Sequence, residues 1–136
     1  MRLYTVAQAR ALLPRVIPVL EQLRDSFVAL RALQTEIEAD QTLASGNGHL
    51  KAEALPAGKR GANKENRLEA LNRSLRQAAR QLADWDIELK DPERGLIDFQ
   101  HEREGEVVYL CYELGEPDIN YWHRIEDGYA GRQPID

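Results

Sequence analysis

Cysteine is almost absent from this 136-residue chain: Cys111 stands alone, so no internal disulfide can form. No run of about 18 apolar residues occurs, which speaks against a membrane-spanning helix. The opening residues Met1-Arg2-Leu3-Tyr4-Thr5-Val6 offer neither an apolar signal core nor a small-residue cleavage site. With the unpaired cysteine, these absences set a cytoplasmic location as the expectation. Also missing are Cys-x-x-Cys and His-x-x-x-His pairs, zinc-finger spacing and a helix-turn-helix pattern. No recognised metal or DNA-reading motif is therefore present.

Hydrophobic residues make up 43% and charged residues 30%, the balance of an ordinary folded chain of one domain. Net charge is −5, unevenly spread. Residues 1–58 balance, residues 59–80 carry seven basic against two acidic groups, and residues 81–136 carry five basic against fifteen acidic. A basic stretch thus precedes an acidic C-terminal third, and the two attract each other or form solvated faces.

Thr5 followed by Gln8 has the spacing of a capping box and predicts a helix start. Leu13, Val16, Leu20, Leu23, Phe27, Leu30 and Ile37 then recur by threes and fours, with Gln34 in the missing slot. That heptad-like seam predicts a helix of roughly 37 Å from residue 13 to 37, at about 1.5 Å per residue. Pro14 and Pro18 predict a kink, or a break near Leu13. Leu68, Leu71, Leu75, Ala78, Leu82 and Trp85 make a second seam. The polar, glycine-rich stretch between them reads as a loop. Two matched seams so joined predict an antiparallel α-hairpin, with arms at 1–39 and 63–90 around a flexible loop at 40–62.

Asp91-Pro92-Glu93-Arg94-Gly95 stops the helical pattern, and the period falls to two over residues 91–136. Strands are expected at Leu96–Gln100, Val107–Leu114 and Ile119–Ile125, with turns at Arg103–Glu106 and Gly115–Asp118. Both faces of Val107–Leu114 are largely apolar, as in a central strand covered on two sides. The expected fold class is α+β: an N-terminal antiparallel α-hairpin packed on a small C-terminal antiparallel β-meander.

Gly95-Leu96-Ile97-Asp98-Phe99, Leu110-Cys111-Tyr112-Glu113-Leu114-Gly115-Glu116, Tyr121-Trp122-His123 and Gly128-Tyr129-Ala130-Gly131-Arg132 stand at set spacings. With Tyr4-Thr5-Val6 and Ala11-Leu12-Leu13-Pro14, they resemble a bacterial family known as domain of unknown function 2203. The resemblance spans nearly the whole chain apart from residues 40–62 and brings no activity with it.

His123 lies between Trp122 and the acidic Glu126-Asp127. With Asp98, Glu116, Glu126 and Arg132 it forms the candidate site for a divalent metal or small ligand; His101 and Cys111 lie in the same unit. The plainer reading makes His123 a hydrogen-bonded core histidine and pairs Arg132 with Asp98, Glu116 or Asp127. Cys111, inside a central strand, reads as a small hydrophobe rather than a nucleophile. Lys59, Arg60, Lys64, Arg67, Arg73, Arg76 and Arg80 could meet phosphates, against the overall acidity. The leading functional expectation is a non-enzymatic interaction or scaffold protein, forming a homodimer through its seams, with an unknown protein partner. A metal- or ligand-binding site at residues 95–132 and a nucleic-acid surface at 59–80 are the alternatives.

Overall fold

The computed structural model describes residues 2–47 and 57–136. Met1, residues 48–56 and the side chains of 42–47 and 57–62, Lys59 and Arg60 among them, lie outside the described residues.

The capping box closes in both directions. Gln8 N–H donates to Thr5 Oγ1 at 3.0 Å, and Thr5 N–H donates to Gln8 Oε1 at 2.9 Å. Helix α1 then runs unbroken over Val6–Asn47, about 63 Å at ~1.5 Å per residue. Pro14 and Pro18 lie inside it, so the expected break near Leu13 does not occur. Both prolines are exposed and four residues apart, on the solvent side, where carbonyls that lose a ladder partner can face water.

Leu13, Val16, Leu20, Leu23 and Leu30 are buried as the seam predicts. Beyond Leu23 the buried slots fall to Ser26 and Leu33 rather than Phe27 and Gln34. A straight helix of 3.6 residues per turn drifts about 20° per heptad, which moves the contact line by one residue.

Helix α2, Ala57–Asp84, returns antiparallel along α1. Ser26 Oγ donates to Ser74 Oγ at 2.8 Å and Gln22 Nε2 to the Ser74 carbonyl at 3.0 Å; Lys64 reaches Glu36 at 3.6 Å. Two expected boundaries move. The helices extend to Asn47 and from Ala57, into the segment expected as loop 40–62. The second arm stops at Asp84 rather than residue 90, because Asp86 takes a left-handed backbone (φ 58°) and turns the chain.

Five strands follow: β1 Ile87–Asp91, β2 Leu96–Arg103, β3 Glu106–Glu113, β4 Tyr121–His123 and β5 Gln133–Pro134. They form one antiparallel sheet in chain order. The three-stranded meander expected is thus the centre of a five-stranded one, and its last strand is shorter than Ile119–Ile125. Glu104 and Gly105, both at positive φ (52° and 81°), make the two-residue hairpin that aligns β2 and β3.

One sheet face, with Ile87, Ile97, Phe99, Val108, Leu110 and Trp122, packs on Leu13, Val16, Leu20, Ala78 and Leu82 of the helices. The N-terminal segment joins this layer: Tyr4 N–H donates to the Gln100 carbonyl at 2.7 Å and Tyr4 Oη to the Trp85 carbonyl at 2.5 Å. The other face, turned away from the helices, is covered by the segment that links β4 to β5.

Gly95 marks where the β1–β2 turn touches β3. Its φ is +64°, and a Cβ there would stand 2.4 Å from Leu114 Cδ1. Gly95→Ala is expected to lower stability by about 1–3 kcal/mol in a urea titration. A loss within 0.5 kcal/mol, on the order of a neutral surface change, would contradict that.

Candidate metal centre

Alternation along β2 puts Ile97 and Phe99 into the helix-side core and Asp98 onto the opposite face. In register, Asp98 stands directly across from Cys111 of β3. Cys111 pairs with Tyr121 of β4, and His123 follows two residues later on the same face. Three adjacent strands thereby gather a carboxylate, a thiol and an imidazole. One ligand-type atom from each lies within 4.8 Å of the others. Asp98 and Cys111 are 1% exposed and His123 is 2% exposed.

Hydrogen bonding fixes the histidine. His123 Nδ1 is 2.8 Å from the Arg124 carbonyl, which can only accept, so Nδ1 carries a proton. Nε2 then faces Asp98 Oδ1 at 3.0 Å. A carboxylate and an imidazole nitrogen bond there only if one further proton sits between them, on either partner. Burial pushes the Asp98 carboxyl above its ordinary range, against the attraction of His123. Burial, with the neighbouring Asp98 charge, pushes the Cys111 thiol up to about 12. The Asp98 carboxylate is also the group that faces Cys111 directly across the strand pair. Asp98, not His123, is therefore the middle group. A histidine that activates a cysteine would have to stand between the other two, so this is not a nucleophilic triad.

Beside the cluster opens a cavity of about 160 Å³, lined also by Lys90, Leu96, Tyr109, Ile125, Gly128 and Tyr129. The tyrosine ring of residue 109 leans on His123, centroids 5.4 Å apart.

The remaining candidates go elsewhere. Glu116 accepts from Arg132 Nη2 with both oxygens, at 2.8 and 2.7 Å. Arg132 stacks over Tyr121 (4.1 Å) and Tyr129 (4.6 Å), and Arg94 covers Tyr129 as well (4.2 Å). Tyr129 Oη and Arg94 Nε both donate to Glu113, at 3.0 and 2.8 Å. The Arg94 contact holds the Glu113 carboxyl below its usual range. This stack ties the β4–β5 segment to β3 and Tyr121, and Arg132 makes the pairing with Glu116 that the plainer sequence reading offered. Glu126 is exposed and outside the cavity lining. His101 Nδ1 meets the Tyr4 carbonyl at 2.7 Å, away from the cluster. Ile119 is buried in the helix-side core, so it does not share a face with His123 as a longer strand would require.

Of the five expected site residues, Asp98 and His123 come together, Glu116 and Arg132 pair with each other, and Glu126 stands apart. Cys111 completes the cluster. Its alternation with Tyr109 and Glu113 was the one available signal, and only the strand register turns that into proximity. On α2, Arg67, Arg73, Arg76 and Arg80 are all exposed. The last three share a helix face by their spacing of three and four.

Fold and cluster together define an α+β protein whose antiparallel sheet has a helix-packed face and a face with a buried Asp–Cys–His group. The chain belongs to the family described as Uncharacterized conserved protein (DUF2203), whose model matches residues 2–135. No curated protein and no solved structure matches it.

Proposed function

We propose that this protein binds a divalent transition metal, of the zinc or cobalt type, through Asp98, Cys111 and His123. The observation that carries this reading is the His123 geometry. Nδ1–H is anchored on a backbone carbonyl while Nε2 points at the carboxylate and thiol. Metal-binding histidines are held this way, with the second nitrogen fixing tautomer and ring plane. Around one tetrahedral ion, such atoms lie about 3.3–3.7 Å apart, given metal–ligand lengths of about 2.0–2.3 Å. The present spacings, from 3.0 Å to within 4.8 Å, need only small side-chain adjustments to reach that. The ion takes the place of the proton shared by Asp98 and His123 and of the thiol proton. Three protein ligands leave a fourth position for a water or small ligand.

The test is a cobalt(II) titration read by visible absorption. A saturable one-to-one signal with a sulfur-to-cobalt charge-transfer band is expected. Cys111→Ser should abolish that band and weaken binding at least about a hundredfold. Absence of both bands and heat of binding near neutral pH would sink the reading.

Seam residues Leu13, Val16, Leu20, Leu23, Ala78 and Leu82 are buried within one chain, so an oligomer would use other surfaces of the helices. No helix among the described residues is long and apolar enough to cross a membrane.

A further inference from the structure

We infer that the fourth coordination position takes the carboxylate of a small monocarboxylic acid whose apolar body is about the size of a benzene ring. This rests on the metal reading above and goes beyond it to the ligand class.

Size comes first. The cavity beside the cluster is about 160 Å³. An engineered protein cavity of about 150 Å³ accommodates benzene. One compact ring or a short branched chain therefore fits; a nucleotide or a peptide does not.

The wall chemistry narrows the class. Leu96, Ile125 and the rings of Tyr109 and Tyr129 supply an apolar lining, and Ile125, 53% exposed, stands at the rim. Such a lining gains by covering an apolar body. The metal-ligand end is polar, so the acid would enter carboxylate first.

Charge narrows it again. Asp98 and a Cys111 thiolate together balance a divalent ion. The lining holds one cation, Lys90, among the described residues. β1 pairs Leu89 with Ile97 but Asp91 with Leu96, so Lys90 is the extra residue of a bulge. Bulges re-aim side chains in this way. Its Nζ lies 4.7 Å over the Tyr109 ring and donates to Glu88 Oε1 at 3.0 Å. An ammonium has three donors, so that pairing leaves donors for one incoming carboxylate oxygen. A dianion such as phosphate would add a second negative charge with nothing in the lining to meet it.

The experiment uses the cobalt(II)-loaded full chain with benzoate, acetate and inorganic phosphate as probes. Benzoate should shift the visible cobalt bands saturably and bind at least about tenfold tighter than acetate, since the ring adds buried apolar area. Phosphate should bind more weakly than benzoate. Ile125→Ser should weaken benzoate about fivefold, by the apolar cover it removes, while leaving cobalt affinity unchanged. Metal-free protein should bind benzoate more weakly still, by calorimetry. Cobalt bands that do not respond to benzoate would overturn the inference and leave the metal site standing. So would acetate or phosphate binding as tightly, or equal benzoate affinity without metal. Failure to load cobalt at all would defeat both.

Discussion

Metal affinity is expected to rise at least about tenfold per pH unit between pH 6 and 8 in the wild-type chain. The sign follows from proton accounting. Two protons occupy the metal-free cluster: the one between His123 Nε2 and Asp98 Oδ1, and the thiol proton of Cys111. Each must leave when the ion enters, and each released proton contributes about a factor of ten per pH unit. Cys111, pushed up to about 12, remains a thiol across the whole window, so its proton counts in full. Raising the pH makes both departures easier, so affinity increases with pH. In Cys111→Ser the thiol proton is no longer released, and the slope should fall by about a factor of ten per unit. Competition titrations against a chelator at three pH values measure it. A flat profile, or one that Cys111→Ser leaves unchanged, would show that the cluster does not hold the ion. Calorimetry in two buffers of different ionisation heat gives the proton count independently.

Phe99→Ala is expected to destabilise the fold by about 3–5 kcal/mol. Phe99 is fully buried, sits between Ile87 and Leu110 in the sheet, and meets the Tyr4 ring edge-on at 5.2 Å. Its side chain touches the layer where the N-terminal segment, the helices and the sheet converge, so no single element can collapse into the space left behind. Equilibrium denaturation followed by circular dichroism is the measurement. A loss below about 1 kcal/mol would mean that the helix–sheet layer repacks far more freely than a close-packed interior allows. Because Asp98 neighbours Phe99 but points the other way, the cluster offers a control. Asp98→Asn should change metal affinity far more than Phe99→Ala does in the protein that remains folded.

The fold was legible where one period dominates. Thr5 and Gln8 mark the start of α1, and the spacing of Leu13 to Leu30 marks its buried side. The eight-residue strand β3 stands out as a continuous run of apolar, β-branched and aromatic residues. Residues 85–91 were not legible in the same way. Trp85 and Leu89 continue the helical spacing, while Ile87 and Leu89 equally satisfy a strand, and five residues are too few to separate the two periods. The left-handed backbone at Asp86 decides the matter, and an aspartate tolerates it without announcing it. Strand β5, two residues long and containing Pro134, carries no pattern at all.

The site was half legible for a related reason. Asp98 and His123 are polar residues in apolar strands, which singles them out. Glu116 and Arg132 are equally conspicuous by type, yet they satisfy each other. Choosing between those pairs needs the register that sets Asp98 against Cys111 and Tyr109 against His123. Register comes from the turn at Glu104-Gly105 and from what each face must bury. Cys111, a small apolar-looking residue in a central strand, gives no sign by itself of being the third member.

The strand order has a consequence for how the cluster could arise during folding. Every neighbour in the sheet is also a neighbour along the chain, so Asp98, Cys111 and His123 are drawn together by two short reversals. The entropy of closing such reversals is small beside that of bringing distant segments into contact. The ligand set lies wholly on the three central strands, and neither helix contributes to it. An ion captured as those strands pair would act as a rivet on the nascent meander, and apo and loaded chains would then differ in refolding rate as well as in stability.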